Sequence, residues 1–226
     1  MISLIRQLIG GNADLATVLI QVGAILYVVF CATPLHEYAH ALIAVKLGDD
    51  TPRLRGRLTL NPMAHIDWIG GLMILLFGFG YAKPVEVHMR NFKKPRRDMA
   101  LVSIAGPVCN LLQATVYLLL YHLLMALTTA LFVKYLCIFF AFAAVINVQL
   151  AVFNFLPIPP LDGSRIATLL LPAKAYYKVM QYERYIMIGL MILLFTGILS
   201  TPLVWLSTAV FSALNKLTAL PFAWIG

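Results

Sequence analysis

The feature that most restricts this chain is an apolar stretch at residues 15–47 carrying Pro34-Leu35-His36-Glu37-Tyr38-Ala39-His40. As a helix at about 1.5 Å per residue it is about 50 Å long, well beyond a hydrocarbon core of about 30 Å. A segment of that length has to tilt, kink or project beyond the lipid. Pro34 supplies the kink, because it has no amide hydrogen and its ring clashes with the preceding turn. Ionisable side chains in such a segment are costly, and they are read first as functional. On a helix His36 and His40 stand on one face, one above the other. Two neutral imidazoles so placed can bind one Zn²⁺, with Glu37 beside them to take a proton from water. The plain alternative is a pair of core histidines next to a buried glutamate. A third ligand at the same depth would separate the two.

Composition agrees with a bilayer setting. The 226 residues are 62% hydrophobic and only 12% charged, about half the charge fraction of a soluble domain. Mean hydropathy is +0.88. The apolar runs are long enough for helices rather than barrel strands. The net charge of +8 does not point to nucleic acid. The basic residues sit in short clusters beside apolar runs, where cytoplasmic loops lie. Cys31, Cys109 and Cys137 lie in apolar segments without metal or redox spacing, as small buried thiols rather than a disulfide framework.

Residues 1–13 place isoleucines and leucines around Arg6 and end in Gly10-Gly11-Asn12, the pattern of a short interfacial segment. Arg53, Arg55 and Arg57 alternate with Leu54 and Leu58, which predicts a short strand over 53–60 on the cytoplasmic side. Residues 68–82 are apolar, glycine-rich and short for a span, with basic residues on both flanks. They are expected to dip into the membrane and return. Residues 84–88 alternate again and would pair with 53–60. Further helices are expected over 98–126, with Gly106-Pro107 near its start, over 130–155, over 185–199, and on to about 220. The expected fold is an all-α polytopic membrane protein. It has about five transmembrane helices, a re-entrant segment and a small β element at the membrane face.

The third long helix ends in Asn154-Phe155-Leu156-Pro157-Ile158-Pro159-Pro160-Leu161-Asp162-Gly163, where prolines stop the helix. Positive flanks put this end, and the end of the first helix that carries His36 and His40, at the cytoplasmic face. Asp162 therefore reaches similar depth to the histidines. An Asp-Gly pair is also an ordinary turn. With two imidazoles at the same depth, it completes a His₂Asp set that leaves a fourth place for water.

These motifs, with Asn61-Pro62 and His65-Ile66-Asp67 between them, resemble the site-2 protease family of intramembrane zinc metalloproteases over roughly residues 20–170. The resemblance implies that His36, His40 and Asp162 bind Zn²⁺, that Glu37 is the general base, and that Asn154 helps hold the substrate backbone. The bland reading of Asn154 is a residue capping the broken helix end. The resemblance also implies hydrolysis of peptide bonds within or near transmembrane segments of membrane-protein substrates, near the cytoplasmic face. A membrane-face sheet or loop, expected at 53–60 and 84–88, would present the unwound substrate. The implied organisation is an interfacial segment at 1–13, a metalloprotease core over 14–170 and C-terminal transmembrane helices over 171–226. The chain resembles the short members of the family without PDZ or CBS modules. It is expected to be a multi-pass protein of the cell membrane, with the lipid bilayer and its substrate as partners and no nucleic acid. The alternatives are a membrane metal-binding or transport protein and a catalytically silent scaffold of the same fold. His65 and Asp67 are expected to make structural hydrogen bonds, His88 to be solvated, and His122 to lie in the core or an interface. The basic run over 93–97 reads as an anchor to anionic headgroups.

Overall fold

The computed structural model describes residues 14–65, 67–77, 83–128, 130–169 and 172–223. The interfacial segment expected at 1–13 and the end of the re-entrant stretch at 78–82 lie outside the described residues. The first helix, α1 (Leu15–Tyr27), starts at Asp14, whose carboxylate accepts from Thr17 N–H at 3.2 Å. That is an N-cap, satisfying an amide the helix itself cannot. A π-helical turn, Val28–Ala32, then leads into α2 (Thr33–Lys46). Pro34 explains the turn. It brings no N–H to the carbonyl four residues back, and the chain adjusts with a wider loop in which Thr33 N–H and Oγ1 both reach Val28 O. The kink expected at Pro34 is thus a π-bulge, one turn before the histidines.

Short helices follow: α3 (Thr51–Leu54), α4 (Pro62–His65) and α5 (Trp68–Phe77). The long α6 (Pro95–Leu127) has Pro95 at its start and Asp98 accepting from Lys94 N–H at 2.9 Å. After it come α7 (Leu131–Asn154), α8 (Asp162–Ile166), α9 (Ala173–Gln181), α10 (Glu183–Phe195) and α11 (Ser200–Ala219). The central helix is α6, which packs against α2, α7, α8 and α11, while α1 lies against α7. The core joins Ala24, Val28 and Ala32 to Ala114, Tyr117 and Leu118 of α6 and to Ala143, Ala144, Val148 and Val152 of α7. Half of that set is alanine. Lipid gives helices no hydrophobic reason to associate, so small residues that let backbones close up carry the packing.

Among the described residues, four helical stretches are long and apolar enough to cross a bilayer: Leu15–Lys46, Pro95–Leu127, Leu131–Asn154 and Ser200–Phe222. The sequence led to an expectation of about five. The fifth stretch, α10, has 13 residues and reaches about 20 Å, so it is not among the four. Large side chains such as Leu112, Phe132 and Trp205 are exposed on these helices, as lipid-facing positions should be.

No strand occurs among the described residues, and this corrects the β element expected at 53–60 and 84–88. Pro52 sets the first turn of α3, where a missing N–H costs nothing, and Gly56 turns the chain with φ +67°. The alternating arginines then serve three separate ends. Arg53 pairs with Asp50 at 3.0 Å, Arg55 with Glu86 at 3.3 Å, and buried Arg57 donates to Ala64 O. His65 is buried and its Nε2 meets Thr59 O at 2.8 Å, while Asp67 accepts from the amides of Ile69 and Gly70. Both therefore have structural contacts, as expected. Lys83 N–H donates to His65 O at 2.9 Å, so the excursion through α5 leaves and returns at one point. His122 meets Asn215 Oδ1 of α11 at 3.1 Å, a helix-to-helix contact.

Residues 83–88 carry no regular structure, yet they are fastened. Buried Asp49 accepts from Thr51 N–H (3.1 Å), Thr51 Oγ1 (2.5 Å), His88 N–H (2.7 Å) and Asn91 Nδ2 (2.7 Å). Burial pushes the Asp49 carboxyl up, but these donors outweigh it and hold the group below the usual carboxylate range. A depressed carboxylate contributes stability that is fully present above its unfolded value of about 3.9 and is lost as pH falls through the folded value. Asp49→Ala is expected to cost about 1–3 kcal/mol and to release the segment. Amide hydrogen exchange at His88 checks this: it should rise in the variant at neutral pH, and in the wild type only under strong acid.

A candidate metal centre

The site forms where α2, α6 and α8 meet. From α2, His36 and His40 are both 6% exposed, and their Nε2 atoms lie 3.0 Å apart. From α8, Asp162 Oδ2 lies 3.2 Å from His36 Nε2 and 3.1 Å from His40 Nε2. Local sequence brings Asp162 in. The Pro-rich loop folds through Leu161 N–H on Ile158 O and through Ser164 N–H and Oγ on Leu161 O. Gly163 then sits so close to the carbonyls of Phe155 and Leu156 that a Cβ there would collide with backbone. A glycine is what lets α8 seat against the end of α7 and aim the preceding aspartate.

The donor set itself calls for a cation. His40 Nδ1 lies 2.7 Å from Val102 O, and a carbonyl only accepts, so Nδ1 carries the proton. In the neutral ring Nε2 is then a bare lone pair. It faces a second imidazole nitrogen and a carboxylate oxygen. Asp162 Oδ2 is a further acceptor, facing both ring nitrogens. One proton cannot satisfy all three edges of such a triangle. Ligands about 2.0–2.1 Å from a tetrahedral zinc are about 3.3 Å from one another, close to the 3.0, 3.1 and 3.2 Å spacings here. The wall opposite has been kept clear: a Cβ on Gly106 of α6 would overlap both Nε2 atoms. The residues present therefore fit zinc. A carbonyl on the far nitrogen of a ligating histidine, as Val102 supplies, fixes tautomer and ring orientation.

Glu37, half-buried on α2, accepts from Val85 N–H at 3.2 Å through Oε2. It lines a cavity of about 80 Å³ with His40 and Asp162, together with Ser103, Val85, Pro160 and Arg165. Asn154, the last residue of α7, donates instead to Leu150 O at 3.0 Å. It is outside the lining of that cavity. The geometry thus brings His36, Glu37, His40 and Asp162 together and leaves Asn154 turned into its own helix. What sequence reading missed is the contribution of α6: the Val102 carbonyl, Ser103 and Gly106. The signal available was Gly106-Pro107 inside an apolar helix, a pair that weakens a helix and needs a reason to be there.

A helical membrane protein with a buried His₂Asp set and an adjacent glutamate defines the class of membrane zinc metalloproteases. Comparison with known proteins gives the family. Residues 124–197 match Peptidase family M50. The chain is 46% identical over 165 residues to the Bacillus subtilis protein named "Putative zinc metalloprotease YwhC", covering 72% of this chain and 75% of that one. It is 35% identical over 137 residues to "Putative zinc metalloprotease Rip2" of Mycolicibacterium smegmatis, covering 57% of this chain and 50% of that one. The Rip2 protein of Mycobacterium tuberculosis is 37% identical over 138 residues, with the same shares covered. The chain thus spans three quarters of YwhC and half of the Rip2 proteins. No solved structure matches it. This chain belongs to peptidase family M50, the site-2 protease family of zinc metalloproteases.

Proposed function

We propose that this protein hydrolyses peptide bonds within or beside transmembrane segments of other membrane proteins, near the cytoplasmic face of the cell membrane. In this reading His36, His40 and Asp162 hold the zinc and Glu37 is the general base. The observation that carries it is the triangle of three facing acceptor atoms with Glu37 on the wall of the same cavity. Bound zinc supplies Lewis-acid polarisation of the scissile carbonyl and acidifies a water.

The protein's own groups do the rest. Glu37 takes the proton of the attacking water on a carboxylate oxygen and returns it to the leaving amine. Val85 N–H, bonded to Oε2, keeps the carboxylate turned into the cavity. Val102 O keeps Nε2 of His40 free of a proton. The substrate helix must unwind, because its carbonyls are otherwise engaged and shielded. Residues 83–88, fastened across the site without a strand partner, offer backbone groups for the unwound segment. Asn154 can serve the substrate backbone by exchanging Leu150 O for a peptide carbonyl. The core over residues 14–170 holds every residue of this chemistry, with α11 packed against α6 and α7.

The test is a comparison of membrane proteomes from cells carrying the wild type and the Glu37→Gln variant. Proteins that accumulate only with the variant are then reconstituted with the purified wild type, and the cut is located by mass spectrometry. Cuts within or beside a transmembrane segment are expected. Cleavage confined to soluble loops far from any span, or none at all by zinc-loaded protein, would overturn the proposal.

A further inference from the structure

One face of α6 forms a wall of the metal centre. Val102 gives its carbonyl to His40, and Gly106, one turn on, lies against both ligand nitrogens. Ser103 stands on the same face. It is 1% exposed and lines the cavity that Glu37, His40 and Asp162 also line. Among the described residues its hydroxyl has no hydrogen-bond partner. A serine inside a helix commonly satisfies itself on the carbonyl four residues back, here Met99, and this one does not. Pro107 brings no N–H to the carbonyl of Ser103 either, so that carbonyl lacks its usual helical donor. Buried polar groups are nearly always paired, so an unpaired one calls for an explanation, and a catalytic role is one of them.

We infer that Ser103 is a further catalytic residue, its hydroxyl donating to the scissile carbonyl oxygen as that oxygen gains negative charge. The inference rests on the hydrolysis proposed above. Glu37 is committed to accepting a proton and cannot serve that oxygen. Apart from the metal ligands, the side chains lining the cavity that can donate are Ser103 and Arg165. Of these Ser103 is the buried one, on the helix face that touches His36 and His40. Donors in an enclosed site act most strongly on the charge that develops in the transition state. A hydroxyl hydrogen turns freely to meet such a partner. No proton leaves Ser103, and its bond is made only once substrate is in place.

The experiment compares wild type, Ser103→Ala and Glu37→Gln on one reconstituted membrane substrate, with zinc content and Tm measured on the same preparations. Ser103→Ala should lower kcat by about 10²–10³-fold, with KM changed by no more than a few-fold and zinc at the wild-type level. Its Tm should equal or exceed that of the wild type, because the hydroxyl it removes has no partner to lose. Wild-type kcat in Ser103→Ala, or a loss of activity that comes with lost zinc or a lowered Tm, overturns the inference. Glu37→Gln separates the two levels. If that variant is dead while Ser103→Ala is fully active, the role of Ser103 alone falls. If it cleaves normally, the underlying mechanism falls with it.

Discussion

Purified Glu37→Gln protein should carry zinc at the wild-type stoichiometry and cleave its substrate about 10²–10⁴-fold more slowly, the usual contribution of a positioned general base. The reasoning is local. Glu37 follows His36 on α2, but its carboxylate does not join the three facing atoms of His36, His40 and Asp162. It points instead to Val85 N–H and the cavity. A glutamine has nearly the same shape, and its amide oxygen can still accept from Val85. What it cannot do is take a proton from water and hand it to the leaving amine. Metal analysis and kcat on a reconstituted substrate read the two effects separately. Full zinc with full activity would show that another group carries the proton. Loss of zinc would show that Glu37 helps hold the metal.

The parts of the site legible in the sequence are those where residue type and spacing carry the chemistry. A four-residue interval between histidines has one meaning on a helix, and Asp162 follows a run of prolines that can only break one. The contribution of α6 was hidden for the opposite reason. Val102 acts through its main chain, which no residue type announces, and Gly106 through the absence of a side chain, which Gly106-Pro107 marks as unusual in a helix without saying what the space is for. The alternation over 53–60 misled because a period of two over five residues also fits a helical turn followed by a loop. Pro52 and the buried Asp49 decide that case through backbone geometry and tertiary hydrogen bonds. The expected count of about five spans is matched by four helices of sufficient length among the described residues, and α10, with 13 residues, is not one of them.

Gly106→Ala is expected to abolish zinc binding while leaving the fold in place. Alanine is the better helix former by about 1 kcal/mol, so an interior glycine with no special duty would be improved by the change. Gly189 on α10, around which a Cβ meets nothing within 4 Å, is the control, and Gly189→Ala should be neutral or stabilising. At Gly106 the added methyl lands on His36 Nε2 and His40 Nε2, the lone pairs the metal needs. The helix cannot retreat, because α6 is held between α2 and α7. The rings must swing away, and His40 then loses Val102 O as well. Removing one supporting partner of a ligand typically costs 10–100-fold in metal affinity, and displacing two ligands at once should cost more than about 100-fold. Zinc titration, with Tm compared between the variant and chelated wild type, measures this. Equal Tm values with no zinc in the variant are expected. Full zinc occupancy and normal cleavage in Gly106→Ala would mean that the metal does not lie between these two nitrogens, and the His₂Asp assignment would have to be given up.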